Sequence, residues 1–310
     1  MTVPGEIVIL GVFVADTAYR ADRQPKMGET LLGNSFALGP GGKGSNQAVA
    51  AAKAGGRVHF ISRLGDDAFA EMAHATWADA GVIPQIIVDH DSFTGAAYIF
   101  IEEDSGDNAI IIAPGAARNI SEADVELHSD LIASASIFIT QLEQPIPAAQ
   151  RALEIAHAGL ARTILNPAPA AEIPPGILSN CDFVTPNETE AEGITGVPVR
   201  SVEDAKRAAD VFLSRGVGAA IITLGENGAL YRDGDRVTHV RAYDAGPVVE
   251  TTGAGDAFNG GFAAALASGA EPVDAVRFGC ATAAISVTRP GTAPSMPLRS
   301  EIEALLLSGS

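Results

Sequence analysis

The sequence predicts an α/β protein: a three-layer sandwich in which helices cover both faces of a mostly parallel central sheet, with a small extra β-sheet. Two observations carry this. Short continuous apolar runs, suited to strands buried on both faces, alternate along most of the chain with segments of helical period. Two strand-like pieces then break that alternation. In chain order, the buried strands are Ile7 to Leu10, Val58 to Ile61, Ile137 to Ile139, Thr163 to Leu165, Phe183-Val184 and Ala220 to Thr223. The helices between them are Gly44 to Ala54, Asp67 to Ala80, Ser121 to Ala133, Ile146 to Ala158 and Val202 to Ser214. A further helix opens after Gly253, and Pro272 to Val287 returns to helical period.

The interrupting pieces are Glu29 to Leu38 and Gly95 to Ile112. In the second, Ala97 to Ile101 and Ala109 to Ile112 flank the polar turn Glu102 to Asn108, which reads as antiparallel pairing. Both pieces follow core strands, so they can cover the carboxyl ends of the parallel sheet as a lid, where open α/β folds bind ligands. An ordinary surface hairpin is the alternative, and an apolar sheet of this kind also suits burial by a second subunit.

With 310 residues, 47% of them hydrophobic, and no Pro/Ser/Gly linker, one large domain spanning 1–310 is expected. Its lid strands would fall within about 12–40 and 94–113. The net charge of −18 argues against a nucleic-acid or anionic-membrane surface and leaves room for a local basic pocket. Cys181 and Cys280 are too few for a disulfide framework and read as core residues of a cytoplasmic protein. The start, Met1 to Glu6, lacks a basic leader region, and no run approaches the ~18 apolar residues of a membrane span.

Two glycine clusters carry the chemistry. Glu250-Thr251-Thr252-Gly253-Ala254-Gly255-Asp256 sets one carboxylate just inside a glycine turn that opens a small, apolar helix. Free amides at such a start attract phosphate. A carboxylate there is either a base beside the bound anion or a residue favouring the helix N-terminus. Gly39-Pro40-Gly41-Gly42-Lys43-Gly44-Ser45-Asn46 matches G-x-G-x-x-G literally, but it does not follow the first core strand as a dinucleotide fingerprint should. Nor is it a P-loop, because Gly44 follows Lys43. It remains a turn whose backbone can approach a polyhydroxylated ligand, with Lys43 and Asn46 as donors. Asn187 and Glu190 have the spacing of a capping box.

Taken together and in this order, the two clusters closely resemble the signature regions of the ribokinase (PfkB) family of sugar and nucleoside kinases. The resemblance extends over nearly the whole chain: Gly11 to Asp16, Gly28-Glu29-Thr30, Gln141 to Pro145, Asn166 to Ala170, Thr185 to Glu192, Thr223-Leu224-Gly225 and Val287 to Gly291. It implies ATP-dependent phosphorylation of a sugar hydroxyl, ribose first, with another pentose, a ketohexose or a nucleoside as alternatives. Asp256 would be the base, and the amides of Gly253, Ala254, Gly255 and Asp256 would hold the charge on the transferring group. Asp16, Gly42, Lys43, Asn46 and Glu143 match sugar-binding positions. Asn187, Thr223, Leu224, Gly225, Glu226, Asn227, Gly228, Gly255 and Cys280 match nucleotide positions, Cys280 standing where a histidine is usual. The resemblance also implies Mg²⁺, held through water by Glu190, and K⁺ near Glu250, Thr252, Ser286, Arg289, Gly291 and Ser295. A homodimer through the lid is implied as well.

Two departures matter. Val14 stands where these kinases carry a sugar-binding asparagine, which puts the acceptor in question. Glu250 replaces an aspartate of the cation site. From other classes, an NAD(P)-dependent oxidoreductase built on Gly39 to Gly44 and a catalytically idle sugar sensor are the competing readings, and the intact Gly253 to Asp256 turn speaks against the second.

Overall fold

The computed structural model describes residues 5–309; the leader reading at Met1 to Pro4 lies outside them. Among the described residues, thirteen strands and ten α-helices follow one another. They begin β1 (Glu6–Leu10), β2 (Val14–Ala21), β3 (Ser35–Gly41), α1 (Lys43–Lys53), β4 (Arg57–Leu64), α2 (Ala68–Ala80) and β5 (Ile83–Val88). Next come β6 (Thr94–Glu102), β7 (Asn108–Gly115), α3 (Glu122–Glu126), α4 (Ser129–Ser134), β8 (Ile137–Thr140), α5 (Ile146–Ala158), β9 (Arg162–Leu165) and β10 (Phe183–Val184). The chain ends with α6 (Glu188–Thr195), α7 (Val202–Ser214), β11 (Ala219–Thr223), β12 (Ala229–Asp233), β13 (Val237–Val240), α8 (Ala254–Ala267), α9 (Pro272–Ser286) and α10 (Arg299–Ser308).

A nine-stranded sheet runs β13-β12-β11-β10-β9-β8-β1-β4-β5. It is parallel from β11 to β5, with an antiparallel hairpin, β12–β13, at one edge. The apolar runs are continuous because successive residues face opposite helix layers. Ile7 and Ile9 join the core that contains Trp77, Phe258 and Phe262, whereas Val8 and Leu10 join that of Val125, Leu153 and Phe212. All four are completely buried. The small residues of α8 serve packing: a Cβ on Gly260 would stand 2.4 Å from that of Ala50, and one on Gly261 would stand 2.3 Å from Oγ1 of Thr282. Only a nearly bare backbone lets α8 wedge between α1 and α9.

A separate sheet has the order β3-β2-β6-β7. Its outer pairs are antiparallel, but β2 and β6 run parallel. The strand expected at Glu29 to Leu38 lies further on, because β2 pairs from Val14 against Gly41 to Arg20 against Ser35. Glu29 instead holds a loop, accepting from the Arg23 guanidinium at 2.5 and 2.7 Å. The helix expected at Ser121 to Ala133 is two helices. His128 leaves helical geometry (φ −114°, ψ 15°), while its carbonyl still accepts from Ile132. The backbone stays paired across the break, so apolar period alone cannot reveal it. Edge strands β5 and β13, strand β12 beside β13, and helices α6 and α10 were not among the expected elements. Cys181 and Cys280 are buried free thiols. Among the described residues, no helix is long and apolar enough to cross a membrane.

Candidate active site

Because β1 and β8 to β11 run parallel, their carboxyl ends open on one edge of the sheet. The segments leaving those ends, Gln141 to Glu143, Asn166, Thr185 to Asn187 and Thr223 onward, meet the N-terminal ends of α1 and α8 there. A cleft of about 140 Å³ is walled by Lys43, Asn166, Asn187, Glu190, Thr223, Gly253 to Asp256 and Asn259. A larger cleft of about 440 Å³, lined by Ala170, Glu172, Ile173, Ile194 and Arg215, shares none of these residues.

Gly253 caps α8 at φ 81°, ψ 0°, a left-handed conformation that glycine adopts without strain. The Ala254 amide donates back to the Thr251 carbonyl at 3.2 Å, whereas no backbone acceptor takes the amides of Gly255 and Asp256. Asp256, 7% exposed, accepts from Nε2 of Gln47 at Oδ1 (3.0 Å) and from Nδ2 of Asn46 at Oδ2 (3.1 Å). Burial raises its pKa, opposed by Lys43 and these two donors.

At the start of α1, whose Lys43 lines the cleft, Gly42 is the cap at φ 86°; a Cβ there would stand 2.5 Å from the Val12 carbonyl oxygen. This lets the amide of Lys43 donate to Oε2 of Glu143 at 2.8 Å. Glu143 is pushed up to about 7, by burial first, against the pull of Lys43. Asp16, on β2, is pushed up to about 6 by burial and then by the Asp256 and Glu250 charges. Burial disfavours the Lys43 ammonium, yet Asp256, Glu143 and Glu190 outweigh it and raise its pKa. Asn46 is 4% exposed, and its Oδ1 has no hydrogen-bond partner, an orphan acceptor suited to a hydroxyl donor.

The capping box at α6 is present: Asn187 Oδ1 accepts from the Glu190 amide at 2.8 Å, and Glu190 Oε2 accepts from the Asn187 amide at 2.9 Å. A parallel bridge brings Asn187 beside Thr223. Past Thr223 the chain makes a short 3-10 turn at Gly225–Asn227. Leu224 to Gly228 lie outside the cleft wall. So does Cys280, buried in α9 with its thiol pushed up to about 12.

The candidate cation residues gather where α9 ends. Glu250 Oε2 accepts from the Gly291 amide at 2.8 Å. Ser286 and Ser295 are buried, their hydroxyls donating to the carbonyls of Ala283 and Thr292. The Arg289 side chain turns away to pair with Glu301, which leaves its carbonyl as the only group it can offer. Thr292 Oγ1 donates to the Pro40 carbonyl at 2.8 Å, tying this loop to the end of β3.

Sequence reasoning did not single out the buried amides behind the site. Gln47 Nε2 also donates to Asn166 Oδ1 (3.0 Å), and Gln141 Nε2 donates to Gln47 Oε1 (2.7 Å). Gln141 and Asn166 stood inside quoted motifs, and Gln47 adjoins Asn46, but no spacing rule marks a buried amide. The Gly39 to Gly44 segment also settles the dinucleotide question. It leaves β3, an antiparallel strand of the small sheet, rather than a central parallel strand, so the Rossmann geometry is absent.

The family model described as pfkB family carbohydrate kinase matches residues 5–299. The ribokinase of Haemophilus influenzae is 38% identical over 296 residues, covering 95% of this chain and 96% of that one. The deoxyribokinase of Salmonella typhi is 35% identical over 294 residues, 94% and 95% of the two chains. Among solved structures, Arabidopsis thaliana ribokinase complexed with ribose and ATP superposes with a TM-score of 0.92 at 31% identity, covering 98% of this chain and 99% of that one.

Proposed function

The chain belongs to the pfkB family of carbohydrate kinases, and from that premise we propose that this sugar kinase carries the γ-phosphoryl group of ATP to the primary hydroxyl of ribose, giving ribose 5-phosphate. The observation that carries the reading is the buried Asp256 carboxylate, held by two amide donors at a glycine-capped helix start and facing Lys43 across one cleft.

Asp256 accepts the hydroxyl proton as the sugar oxygen attacks phosphorus and ADP departs. A late proton transfer needs no strongly basic carboxylate. The amides of the Gly253 to Asp256 turn, of which Gly255 and Asp256 are free of backbone acceptors, hold the charge on the transferring group; one such donor is typically worth about 3 to 4 kcal/mol. Asp16, Glu143 and the orphan Oδ1 of Asn46 accept from sugar hydroxyls, while Lys43 donates. The small sheet acts as a lid. Its exposed Tyr19, Phe36, Leu38 and Ile111 suit burial by a second copy in a homodimer.

Glu190 offers one carboxylate on the cleft wall, which fits a Mg²⁺ ion that keeps its waters and binds chiefly to phosphates. Such an ion neutralises and orients the phosphate oxygens. Asn187 positions Glu190, and Thr223 to Gly228 receive the nucleotide. Glu250, the Ser286 and Ser295 hydroxyls and the neighbouring carbonyls form an all-oxygen set, which fits K⁺. The reduced thiols of Cys181 and Cys280 suit the cytoplasm.

A second reading has its own support: 2-deoxyribose as acceptor. Val14 is 6% exposed and belongs to the apolar cluster that also holds Val12, Ala97 and Leu142, so this position offers no side-chain hydrogen bond. A coupled ADP-release assay over ribose, 2-deoxyribose, hexoses and nucleosides, with and without potassium, decides between them. No sugar-dependent ADP release would refute both.

A further inference from the structure

We propose that Gln47 is a positioning residue of the phosphoryl transfer, aiming the Asp256 carboxylate through a hydrogen-bonded ring that also holds the anion-binding turn. This rests on the reading of Asp256 as the base.

The ring closes on itself. Gln47 Nε2 donates to Asp256 Oδ1 and to Asn166 Oδ1, both at 3.0 Å. Asn166 Nδ2 donates to the Thr185 carbonyl at 2.9 Å, and Thr185 Oγ1 donates to Asn259 Oδ1 at 2.6 Å. Asn259 Nδ2 then donates to the Gly255 carbonyl at 2.8 Å, and Gly255 is bonded to Asp256. One set of contacts therefore fixes both the base and the turn whose amides face the phosphoryl group. Every member except Asp256 is neutral, so the ring orients the carboxylate and cannot take its proton.

The orientation of Gln47 is determined. Gln141 Nε2 donates to its Oε1 at 2.7 Å; turning the Gln47 amide over would set that oxygen against two acceptors, Asp256 Oδ1 and Asn166 Oδ1. Gln47 is completely buried, and it is absent from the cleft wall that Asp256 and Asn166 line. It acts through Asp256, and water cannot readily replace its donor. The other charged groups around Asp256 are Lys43 on α1, Asp16 on β2, Glu143 after β8 and Glu190 on α6, with Glu250 beyond Asp16. None of them hydrogen-bonds Asp256; its donors are Asn46 and Gln47.

The test is sugar-dependent ADP release against pH for the wild type, Gln47→Met and Gln141→Met, with thermal melting of each. Gln47→Met is expected to lower kcat at least tenfold at neutral pH with the KM for ATP unchanged. The acidic limb of its kcat profile should move up by about one pH unit, because the ionised base loses a donor. Gln141→Met leaves Gln47 in place but frees its amide, and should move the limb the same way by less. If Gln47→Met fails to fold, Gln141→Met decides. An unmoved acidic limb in the folded variants, whatever their loss of kcat, overturns the proposal. A wild type without sugar-dependent ADP release overturns the reading of Asp256 instead.

Discussion

Replacing Glu143 with glutamine is expected to make the protein more stable at pH 8 and worse at holding its sugar. The carboxyl ionises near 4.5 when unfolded and near 7 when folded. Between those values the folded state binds the extra proton. The group therefore favours folding at low pH, and that contribution is lost as pH rises through 7, leaving a full penalty at pH 8. The rise from 4.5 to about 7 corresponds to about 3 kcal/mol. Residual solvation of a carboxyl that keeps some exposure reduces this to about 1 to 2 kcal/mol. Glutamine removes the penalty and keeps an oxygen for the Lys43 amide, so the melting temperature at pH 8 should rise by about 2 to 4 °C. At about pH 3.5, where the carboxyl is protonated in both states, the difference should vanish. The acceptor lost to a sugar hydroxyl should raise the sugar KM by about tenfold or more. Calorimetry at about pH 3.5 and at about pH 8 and steady-state kinetics on both proteins read these effects. A variant less stable than wild type at pH 8, or an unchanged sugar KM, would refute the reasoning.

Asp256→Asn should lower kcat by about 10² to 10⁴-fold while ATP affinity, read by titration calorimetry, is retained; retained turnover sinks the base assignment. Val14→Asn should raise kcat/KM for ribose relative to 2-deoxyribose by about tenfold or more, and an unchanged ratio across a sugar panel removes Val14 from acceptor selection. Gly42→Ala sets a Cβ against the Val12 carbonyl in a left-handed turn and should cost about 1 to 3 kcal/mol in denaturant unfolding; an unchanged midpoint would show that the turn can relax. If Glu250 supports a cation, potassium should raise kcat for wild type and not for Glu250→Ala, and equal stimulation of both would falsify that placement.

The alternation of apolar runs and helical periods was enough to specify the layered α/β architecture, because a strand buried on both faces must be apolar at every position, as Ile7 to Leu10 are. Glycine chemistry likewise marked both turns, since few other residues accept φ near +80° at Gly42 and Gly253. What the sequence could not supply was partnership across the chain. The hydrogen bonds from Asn46 and Gln47 to Asp256 span 210 and 209 residues, and a glutamine's local signal is the same whether it faces water or a buried carboxylate. The placement of β3 and the parallel pairing of β2 with β6 were decided in the same way, by neighbours remote in sequence. The sequence by itself determined the reaction class and named the candidate groups for it. Tertiary structure alone decided how Asp256 is held and how far burial moves Asp16 and Glu143, because hydrogen-bond geometry and desolvation belong to the assembled site rather than to any segment.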